Sequence, residues 1–322
     1  MDYYVAWWNV ENLFDRATAA RPPRLASKLA GELVGWTAAV LQRKVSQLAS
    51  IILQMNGGQG PDLLGVCEVE NRAVLERLVA ALASLGRNYA IAHHDGGDSR
   101  GIDVAFLYDA DLFEAEEEFF HVVLKRSTTR DIFQVNFRTS GGRVLSMIGN
   151  HWPSRLGGTH ESEPYRILAA ETLSYWMSRI QELRGLNANV VVMGDFNDEP
   201  WDRSLTQYAL STQSRNKVTY ARSPRLLNLM FPIAGQALGT HYFDNFPGLL
   251  DQLLVSRGVA RTSGEIRLVP DSVEVLRLPE MISGGRYPAP LRFGRPSRAS
   301  TFDEDGFSDH FPIAVRLREP GV

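Results

Sequence analysis

Short apolar runs alternate along this chain with longer segments of helical spacing. The short runs have the length and the β-branched and aromatic content that are typical of strands. Ten such strands are predicted, over residues 3–10, 62–69, 89–94, 102–108, 119–124, 132–137, 144–150, 189–194, 250–256 and 312–317. This is more than one sheet of ordinary size contains, so the pattern favours two sheets.

Three longer segments carry apolar residues three or four positions apart, which is the spacing of a helix face that packs on a core. These residues are Val45, Leu48 and Ile52, then Leu75, Leu78, Val79 and Leu82, then Leu168, Leu173, Trp176, Ile180 and Leu183. No Ser/Gly-rich linker or internal repeat interrupts the alternation of strands and helices. We therefore predict a single α/β domain over residues 1–322.

Composition excludes several classes of protein. The 322 residues are 44% apolar and 22% charged, which is typical of a globular protein and not of a disordered or collagen-like chain. A single cysteine excludes an intramolecular disulfide and a CxxC motif. No apolar run is long enough for a membrane span, and residues 1–10 lack the features of a signal peptide. We expect a cytoplasmic protein without an obligate protein partner.

The basic residues are strongly biased toward arginine. Of the 34 basic residues, 30 are arginine, because lysine occurs only at Lys28, Lys44, Lys125 and Lys217. The rigid fork of arginine suits phosphate oxygens, although the base composition of the genome explains such a bias equally well without function. The formal charge of −3 argues mildly against a nucleic-acid partner.

The sequence GDFND, residues 194–198, follows the apolar run NVVVM and so lies at the end of a predicted buried strand. Open α/β sheets place their ligand sites at such strand ends. Asp195 and Asn197 are two residues apart and project together, as a carboxylate that accepts a proton and an amide that donates to an anion. The same residues also favour a turn, so a turn without catalytic function is an alternative interpretation.

Two further motifs lie nearer the C-terminus. SDHFP, residues 308–312, places Asp309 and His310 at the edge of an apolar strand, where the carboxylate suits a hard cation and the imidazole suits a phosphate oxygen. Asp251 lies inside the run LLDQLLV, where an unpaired carboxylate is costly. We expect Asp251 to pair with His310. The structural alternatives are a capped loop at residues 309–310 and an ion pair between Asp251 and an arginine.

Carboxylates also follow the first two predicted strands. In VCEVEN, residues 66–71, Glu68 is closer to the apolar run than Glu70 and is therefore the better metal-ligand candidate. In WWNVEN, Asn9 and Glu11 alternate with apolar neighbours and share one face of the strand.

Basic residues accompany these motifs. NHWPSR, residues 150–155, ends a predicted strand with His151 and continues into a turn. Residues 283–300 contain Gly, Pro, four arginines and no acid, which predicts a long surface loop in which Tyr287 or Phe293 could stack on a base. The residues expected to bind phosphate are Arg100, Ser154, Arg155, Arg286, Arg292, Arg295 and Arg298. A solvated arginine cluster without a ligand is the alternative for the loop.

Seven motifs in this order resemble those of the endonuclease/exonuclease/phosphatase superfamily, the deoxyribonuclease I-like and exonuclease III-like proteins: WNVEN, CEVEN, RGIDVAFLYD, NHWPSR, GDFND, LLDQLLVS and SDHFP. Within it, the chain is most similar to the bacterial branch with an NHWPSR-type motif. The resemblance extends from Asn9 to Pro312. It implies a four-layer α/β sandwich, with two mixed sheets face to face and helices outside. It also implies phosphoester hydrolysis that depends on Mg²⁺ or Mn²⁺.

The resemblance further implies roles for the matched residues. The implied metal ligands are Asn9, Glu11, Glu68 and Asp309. The implied catalytic residues are His151, Asp195, Asn197, Asp251 and His310. Among these, Asp195 matches a residue that orients or deprotonates water, and Asp251 with His310 matches a carboxylate–histidine pair. Cys67 departs from the family pattern, because many relatives have Gln before the glutamate.

Three functions are compatible with these motifs. The first is a nuclease or phosphodiesterase that acts on DNA or RNA, the second a phosphatase or phosphodiesterase for a small-molecule or lipid head-group phosphate, and the third a binding protein without activity. The five proposed site carboxylates are Glu11, Glu68, Asp195, Asp251 and Asp309. Without these five, the chain has 32 acidic and 34 basic residues, so the remaining formal charge is +2. The net negative charge is then local to the site and is compatible with a nucleic-acid substrate.

Overall fold

Strand β1 (Asp2–Leu13) is buried on both faces, and this requires a layered fold. Successive side chains of a strand point to opposite faces. One face contributes to a core that β1 shares with helices, through Tyr4, Ala6, Trp8 and Val10. The other face contributes to a core between two sheets, through Tyr3, Val5 and Trp7. A strand covered on both faces places its sheet in the interior of a stack.

The computed structural model describes residues 1–236, 238–284, 288–294 and 302–321. The other strands of the first sheet are β2 (Leu63–Val69), β3 (Tyr89–His93), β4 (Asp103–Asp109), β14 (Arg267–Leu268), β15 (Glu274–Val275) and β16 (Ile313–Arg318). Their order is β14, β16, β1, β2, β4, β3, and β15 also pairs with β16. The sheet is mixed, since β1 and β2 are parallel and the neighbouring pairs are antiparallel.

The second sheet contains β5 (Phe113–His121), β6 (Ile132–Thr139), β7 (Val144–His151), β8 (Asn189–Asp195), β9 (Ser211–Thr212), β10 (Leu226–Asn228) and β13 (Asp251–Val255). Its order is β5, β6, β7, β8, β13, β10, β9, and it is also mixed because β7 and β8 are parallel. A separate hairpin is formed by β11 (His241–Phe243) and β12 (Phe246–Gly248).

Helices cover the outer faces of both sheets. They are α1 (Pro23–Leu29), α2 (Ala38–Ile52), α3 (Met55–Gly58), α4 (Arg72–Ala81), α5 (Thr159–Arg184), α6 (Arg215–Thr219) and α7 (Arg257–Ala260), with a π-turn at Ser204–Tyr208 and 3₁₀ turns at Ala83–Leu85 and Pro279–Met281. The side chains of Thr37 and Asn71 cap the N-termini of α2 and α4. A third core packs α5 against the second sheet. The predicted four-layer α/β sandwich is confirmed.

One predicted strand is displaced. The segment expected at residues 119–124 is instead β5, Phe113–His121. Four glutamates in this stretch interrupt the alternation of apolar and polar residues that predicts a strand. A bulge between Ala115 and Glu117 also shifts the register of β5 against β6. The three segments of helical spacing lie in α2, α4 and α5. In the described ranges, no helix is long and apolar enough to cross a membrane.

Candidate active site

Strands from both sheets converge at one end of the sandwich. β1 and β2 end there in the first sheet, β7 and β8 end there in the second, and β13 and β16 begin there because each runs antiparallel to its neighbour. The register places Asp251 directly opposite Asp195. Hydrogen bonds also cross between the sheets, as Nδ2 of Asn9 donates to Oδ2 of Asp195 at 3.1 Å. Polar residues far apart in the sequence therefore meet in one place.

The backbone is strained where the predicted site residues lie. Glu11, Asn12, Glu68 and Asn197 have φ of 50°, 56°, 65° and 50°, a left-handed conformation that is costly for residues other than glycine. Register shifts interrupt the pairing of β1 with β2 after Asn9 and of β2 with β4 after Cys67. Such bulges redirect side chains, so Glu11 and Glu68 do not follow the simple alternation of their strands.

Asp251 and His310 form the predicted pair. Nδ1 of His310 lies 2.6 Å from Oδ2 of Asp251, and Nε1 of Trp7 donates to Oδ1 of Asp251 at 3.1 Å. Burial by itself lowers the pKa of His310, but the charge of Asp251 and its hydrogen bond outweigh burial and raise this pKa well above its usual value. The imidazole is therefore protonated at neutral pH, with Nε2 directed toward Asp195 at 3.9 Å.

Asp195 is fixed by two donors. Its Oδ2 accepts from Asn9, and its Oδ1 accepts from the backbone N–H of Asn197 at 2.9 Å. Burial, together with the charge of Asp251, raises the pKa of Asp195 to about 7, although His310 acts in the opposite direction. A carboxyl group with this pKa exchanges a proton readily at neutral pH.

His151 lies between the acidic groups of the two sheets. Its Nε2 is 3.7 Å from Oε1 of Glu68 and 3.7 Å from Oδ2 of Asp195, and its buried Nδ1 has no hydrogen-bond partner among the described residues. Burial and the positive charges of Arg130 and Arg100 lower its pKa well below the usual value, so the ring is neutral.

A buried cation supports the carboxylates on the other side of the site. Lys44 on α2 is fully buried, donates to the carbonyl of Phe307, and lies 5.0 Å from the centroid of the Phe293 ring. Burial lowers the pKa of Lys44 to about 8, against the charges of Glu11, Asp309 and Glu68. These three carboxylates therefore act on one buried ammonium group that was not predicted from the sequence.

The donors on this side fit a hard divalent cation. Glu68 and Asp309 both remain partly accessible, with side chains 12% and 28% exposed. Carboxylate and amide oxygens, which Glu68, Asp309 and Asn9 provide, are ligands that Mg²⁺ and Mn²⁺ prefer. The buried Cys67 has no second cysteine to join it, and burial raises the pKa of its thiol.

The hydrogen bonds of the Glu11 carboxylate contradict the prediction that this residue is a metal ligand. Its Oε1 accepts from Nε and Nη2 of Arg292 at 2.9 and 2.6 Å, and its Oε2 accepts from the backbone N–H groups of Phe293 and Gly294. A carboxylate with four donors has no free oxygen for a cation. Glu11 instead holds residues 288–294 against β1, and Arg292 is ion-paired with Glu11 while its side chain remains 55% exposed.

Arg155 is also used within the protein. Its Nε donates to the carbonyl of Asn197, and its Nη2 lies 3.3 and 2.9 Å from carboxylate oxygens of Asp198 and Asp202. The guanidinium therefore stabilises the turn after β8, and its role in phosphate binding stays a prediction. The side chain of Asn197 serves the same turn, since its Nδ2 donates to the carbonyl of Trp152 at 3.1 Å.

The other predicted phosphate ligands are dispersed. Nη2 of Arg100 donates to Oδ1 of Asn12 at 2.5 Å, next to the strained end of β1. Ser154 is exposed beside Arg155. Three of the loop arginines, Arg286, Arg295 and Arg298, lie outside the described residues, as does Tyr287. Phe293 is fully buried against Trp36 and Lys44 and is not available for stacking on a base.

Sequence reasoning missed His241. The backbone of this residue forms an isolated β-bridge with His310, and the centroids of the two imidazole rings lie 4.7 Å apart. Potential metal-ligand atoms of His241, Asp309 and His310, one from each residue, lie within 4.8 Å of one another. Burial, then the charge of His310, lowers the pKa of His241 to about 3, so it is neutral. The surrounding sequence, THYF, matches no recognisable motif. His241 reaches the site because the β11–β12 hairpin packs there.

The buried ion pair behind the site has a large expected effect on stability. Arg166 on α5 is fully buried, with Nε 2.7 Å from Oδ1 of Asp198. Arg166→Met is expected to lower the free energy of unfolding by about 3 kcal/mol, the low end of the range for breaking a buried ion pair, since Asp198 stays buried and keeps only Arg155 and the hydroxyl of Ser204 as side-chain partners. Guanidinium unfolding measures this loss.

The matched control is Arg179→Met on the same helix, which removes an exposed pair with Glu182. Exposed pairs contribute at most about 1 kcal/mol. Equal midpoints for the Arg166→Met variant and the wild type would contradict the importance of the buried pair.

A comparison with protein families identifies the group to which these motifs belong. The sequence profile described as "Endonuclease/Exonuclease/phosphatase family" matches residues 4–319. The chain belongs to this family. The endonuclease/exonuclease/phosphatase superfamily consists of phosphoester hydrolases, which generally use divalent metals. Among curated proteins, none matches the chain significantly.

Solved structures of the endonuclease/exonuclease/phosphatase fold superpose on nearly the whole chain. A family protein from Bacteroides thetaiotaomicron has a TM-score of 0.58 at 16% identity and covers 98% of this chain and 97% of its own. A humanized TDP2 from D. rerio has a TM-score of 0.60 at 14% identity, covering 98% and 99%. The B. thetaiotaomicron mannosyl-6-phosphatase Bt3783 has a TM-score of 0.53 at 17% identity, covering 98% and 99%. At these identities the likeness establishes the fold alone.

Proposed function

We propose that this protein is a divalent-metal-dependent phosphodiesterase that cleaves DNA or RNA. One observation carries the proposal: a buried carboxyl with a pKa near 7, Asp195, faces a protonated His310 across 3.9 Å, beside accessible oxygen donors. The pair combines a proton acceptor with a positively charged donor, as hydrolysis of a phosphoester requires. Because the contributing residues span positions 9 to 310, we further propose that the chain forms one catalytic domain.

Glu68 and Asp309 would hold the cation, with Asn9 close to it. When bound, Mg²⁺ or Mn²⁺ polarises a non-bridging phosphate oxygen and stabilises negative charge on the leaving oxygen. Lys44 adds a buried positive charge that offsets part of the repulsion between these carboxylates, and it is itself too buried to contact a substrate.

Asp195 accepts a proton from the attacking water. Asn9 and the backbone N–H of Asn197 hold its two oxygens, so the carboxylate is oriented before the substrate binds. His310 donates from Nε2 to a phosphate oxygen as negative charge develops, while Asp251 fixes its Nδ1 and stabilises its positive charge. His151 is neutral and offers a further donor between Glu68 and Asp195.

An aromatic hairpin beside the site favours a substrate with bases. Phe243 and Phe246 are paired at the tip of the β11–β12 hairpin and are 74% and 77% exposed. His241 at the base of the hairpin contacts His310, and Phe243 is two residues further on, about 7 Å along the strand. Exposed phenylalanines at this distance support stacking on unpaired bases, which a simple phosphomonoester does not need.

Phe246→Ala is expected to raise KM for a single-stranded oligonucleotide by about 5–150-fold, the range for loss of one stacked base. The rate with bis-p-nitrophenyl phosphate is expected to change little, because this compound is too small to reach the hairpin. Steady-state kinetics with both substrates measure the difference. Tyr220→Ala is the matched control, since Tyr220 is also exposed (82%) but lies on a different part of the surface. Equal losses with both substrates would mean that the hairpin supports the fold of the site and does not bind bases.

One assay tests the proposed function. The purified protein is incubated with Mg²⁺ or Mn²⁺, and in parallel with EDTA, against plasmid, single-stranded DNA, RNA, p-nitrophenyl phosphate and bis-p-nitrophenyl phosphate. Metal-dependent cleavage of a polymer supports the proposal. Activity on the monoester alone would favour a small-molecule phosphatase instead, and inactivity on every substrate would favour a binding protein.

A further inference from the structure

A second group of potential ligands lies outside the site described above. His93 ends β3, Asp103 begins the neighbouring strand β4, and Asp95 lies in the connection between them. One ligand atom from each of the three residues lies within 4.8 Å of the other two. Asp103 pairs in register with Val69, one residue beyond Glu68, so this group lies one strand away from the proposed catalytic centre.

The His93 side chain is buried and aimed at this group. It is only 3% exposed, and its buried Nε2 has no hydrogen-bond partner among the described residues. Nε2 lies 3.9 Å from Oδ2 of Asp103, and Nδ1 lies 3.9 Å from Oδ1 of Asp95. Both distances are too long for a hydrogen bond. An unsatisfied imidazole nitrogen in the interior is costly unless something occupies the gap.

The gap has the dimensions of a coordinated ion. Two ligand atoms that each lie about 2.0–2.2 Å from an ion are separated by about 3.4 Å at a tetrahedral angle and by up to about 4.4 Å when opposite. The observed 3.9 Å lies within this range. Asp95 lies nearest Nδ1, the other nitrogen of the ring, so it would join an ion at Nε2 by rotation of its side chain, which is 80% exposed.

Asp103 is held in position for such a role. Its Oδ1 accepts from the backbone N–H of Gly96 at 3.1 Å, which leaves Oδ2 directed at His93. A side chain at position 96 would clash with it, since an added Cβ would lie 2.6 Å from Oδ1 of Asp103. Asp131 approaches the same glycine, at 3.8 Å from that Cβ position, and adds negative charge that a cation would offset.

The group is also accessible from solvent. A cavity of about 550 Å³ opens beside it, and its lining includes Asp95, Gly96, Asp98 and Asp103 as well as Arg21 and Lys28. The cavity provides an entry path and space for water molecules that complete the coordination.

We propose that His93, Asp95 and Asp103 bind a first-row divalent transition-metal ion of the Zn²⁺ or Co²⁺ class. One imidazole nitrogen with two carboxylates suits such ions better than Mg²⁺ or Ca²⁺, which prefer oxygen ligands alone. The ion would join the two ends of the 94–102 connection. This connection carries Arg100, whose guanidinium reaches Asn12 at the strained end of β1, so the ion would fix the position of Arg100.

The test uses the full-length protein with Co²⁺ as the probe, in 10 mM Mg²⁺ and in a Glu68→Gln background that disables the proposed catalytic metal centre. Co²⁺ is titrated by visible absorption and by calorimetry. We expect His93→Gln to weaken the binding of one equivalent at least about 100-fold, because even changes outside the ligand set cost 10–100-fold. Any Co²⁺ bound by His241, Asp309 and His310 is unaffected by this substitution.

The matched control is His94→Gln, the next residue, whose ring stacks on Phe120 and takes no part in the group. It is expected to bind Co²⁺ like the parent. If His93→Gln fails to fold, the exposed ligand is tested through Asp95→Asn, with circular dichroism to verify the fold. Absence of Co²⁺ binding in the parent, or binding unchanged in His93→Gln or Asp95→Asn, would overturn the proposal. Because the readout is metal binding, the result is independent of whether the protein cleaves nucleic acid.

Discussion

His310→Ala is expected to lower kcat for a phosphodiester by about 10²–10⁴-fold, the range for a positioned acid–base group. His310 is protonated at neutral pH and lies 3.9 Å from Asp195, whereas His151 is neutral. Among the described residues, the substitution therefore removes the only positively charged side chain within 4 Å of Asp195. It also leaves Asp251 buried with Trp7 as its remaining side-chain donor. Steady-state kinetics with bis-p-nitrophenyl phosphate and with an oligonucleotide measure the loss.

His160→Ala serves as the control for this prediction, because His160 is exposed on α5. Asp251→Asn offers a second measure. It keeps the shape of the pair and removes the charge that favours the protonated imidazole, so the activity should fall and the alkaline limb of the pH profile should move to lower pH. A correctly folded His310→Ala protein with near wild-type turnover would show that another group stabilises the developing charge.

Asp195→Asn is expected to lower kcat/KM by a similar 10²–10⁴-fold, because an amide cannot accept the proton of water. The wild type should in addition show an acidic limb. Burial raises the pKa of Asp195 to about 7, and only its ionised form accepts a proton, so activity should rise with pH up to about 7 and fall about tenfold per unit below it. His310 loses its proton only at higher pH, and this sets the alkaline limb.

The pH profile separates the proposed role of Asp195 from a structural one. In Asp195→Asn the acidic limb near pH 7 should disappear, whereas a variant that only disturbs packing would keep the limb at a lower overall rate. Asp305→Asn is the control, since the Asp305 side chain is 85% exposed and pairs with the exposed Arg43. An unchanged acidic limb in Asp195→Asn would assign it to another group.

The sequence was informative wherever burial and polarity conflict. Asp251 lies within an apolar run, and the cost of an unpaired buried carboxylate was enough to predict its contact with His310. Likewise, the run NVVVM places Asp195 at the end of a buried strand, which is where the structure has it. The two-sided burial of β1 follows from its continuous apolar pattern, and with it the layered fold.

The sequence was least informative where side chains meet across long distances or where the backbone departs from regular geometry. Glu11 has the alternation expected of a ligand, but a left-handed backbone redirects it and Arg292, 281 residues away, occupies it. Lys44 lies on a helix face that looked only apolar, and its burial depends on Phe293 and Phe307. Neither the loop contacts nor the strain can be obtained from hydrophobic periodicity, because both are set by tertiary packing.

The pairing of β1 with β16 also constrains when the protein becomes functional during its synthesis. Asp2 is paired with Arg318 and Trp7 with Ile313, so the central strand of the first sheet lacks one neighbour until residues 313–318 have left the ribosome. Asp309 and His310 immediately precede this last strand. Contacts of such long sequence separation form late. A nascent chain therefore has no complete candidate active site while it is still attached to the ribosome through these residues. A chain truncated before residue 309 carries an open sheet edge that favours aggregation.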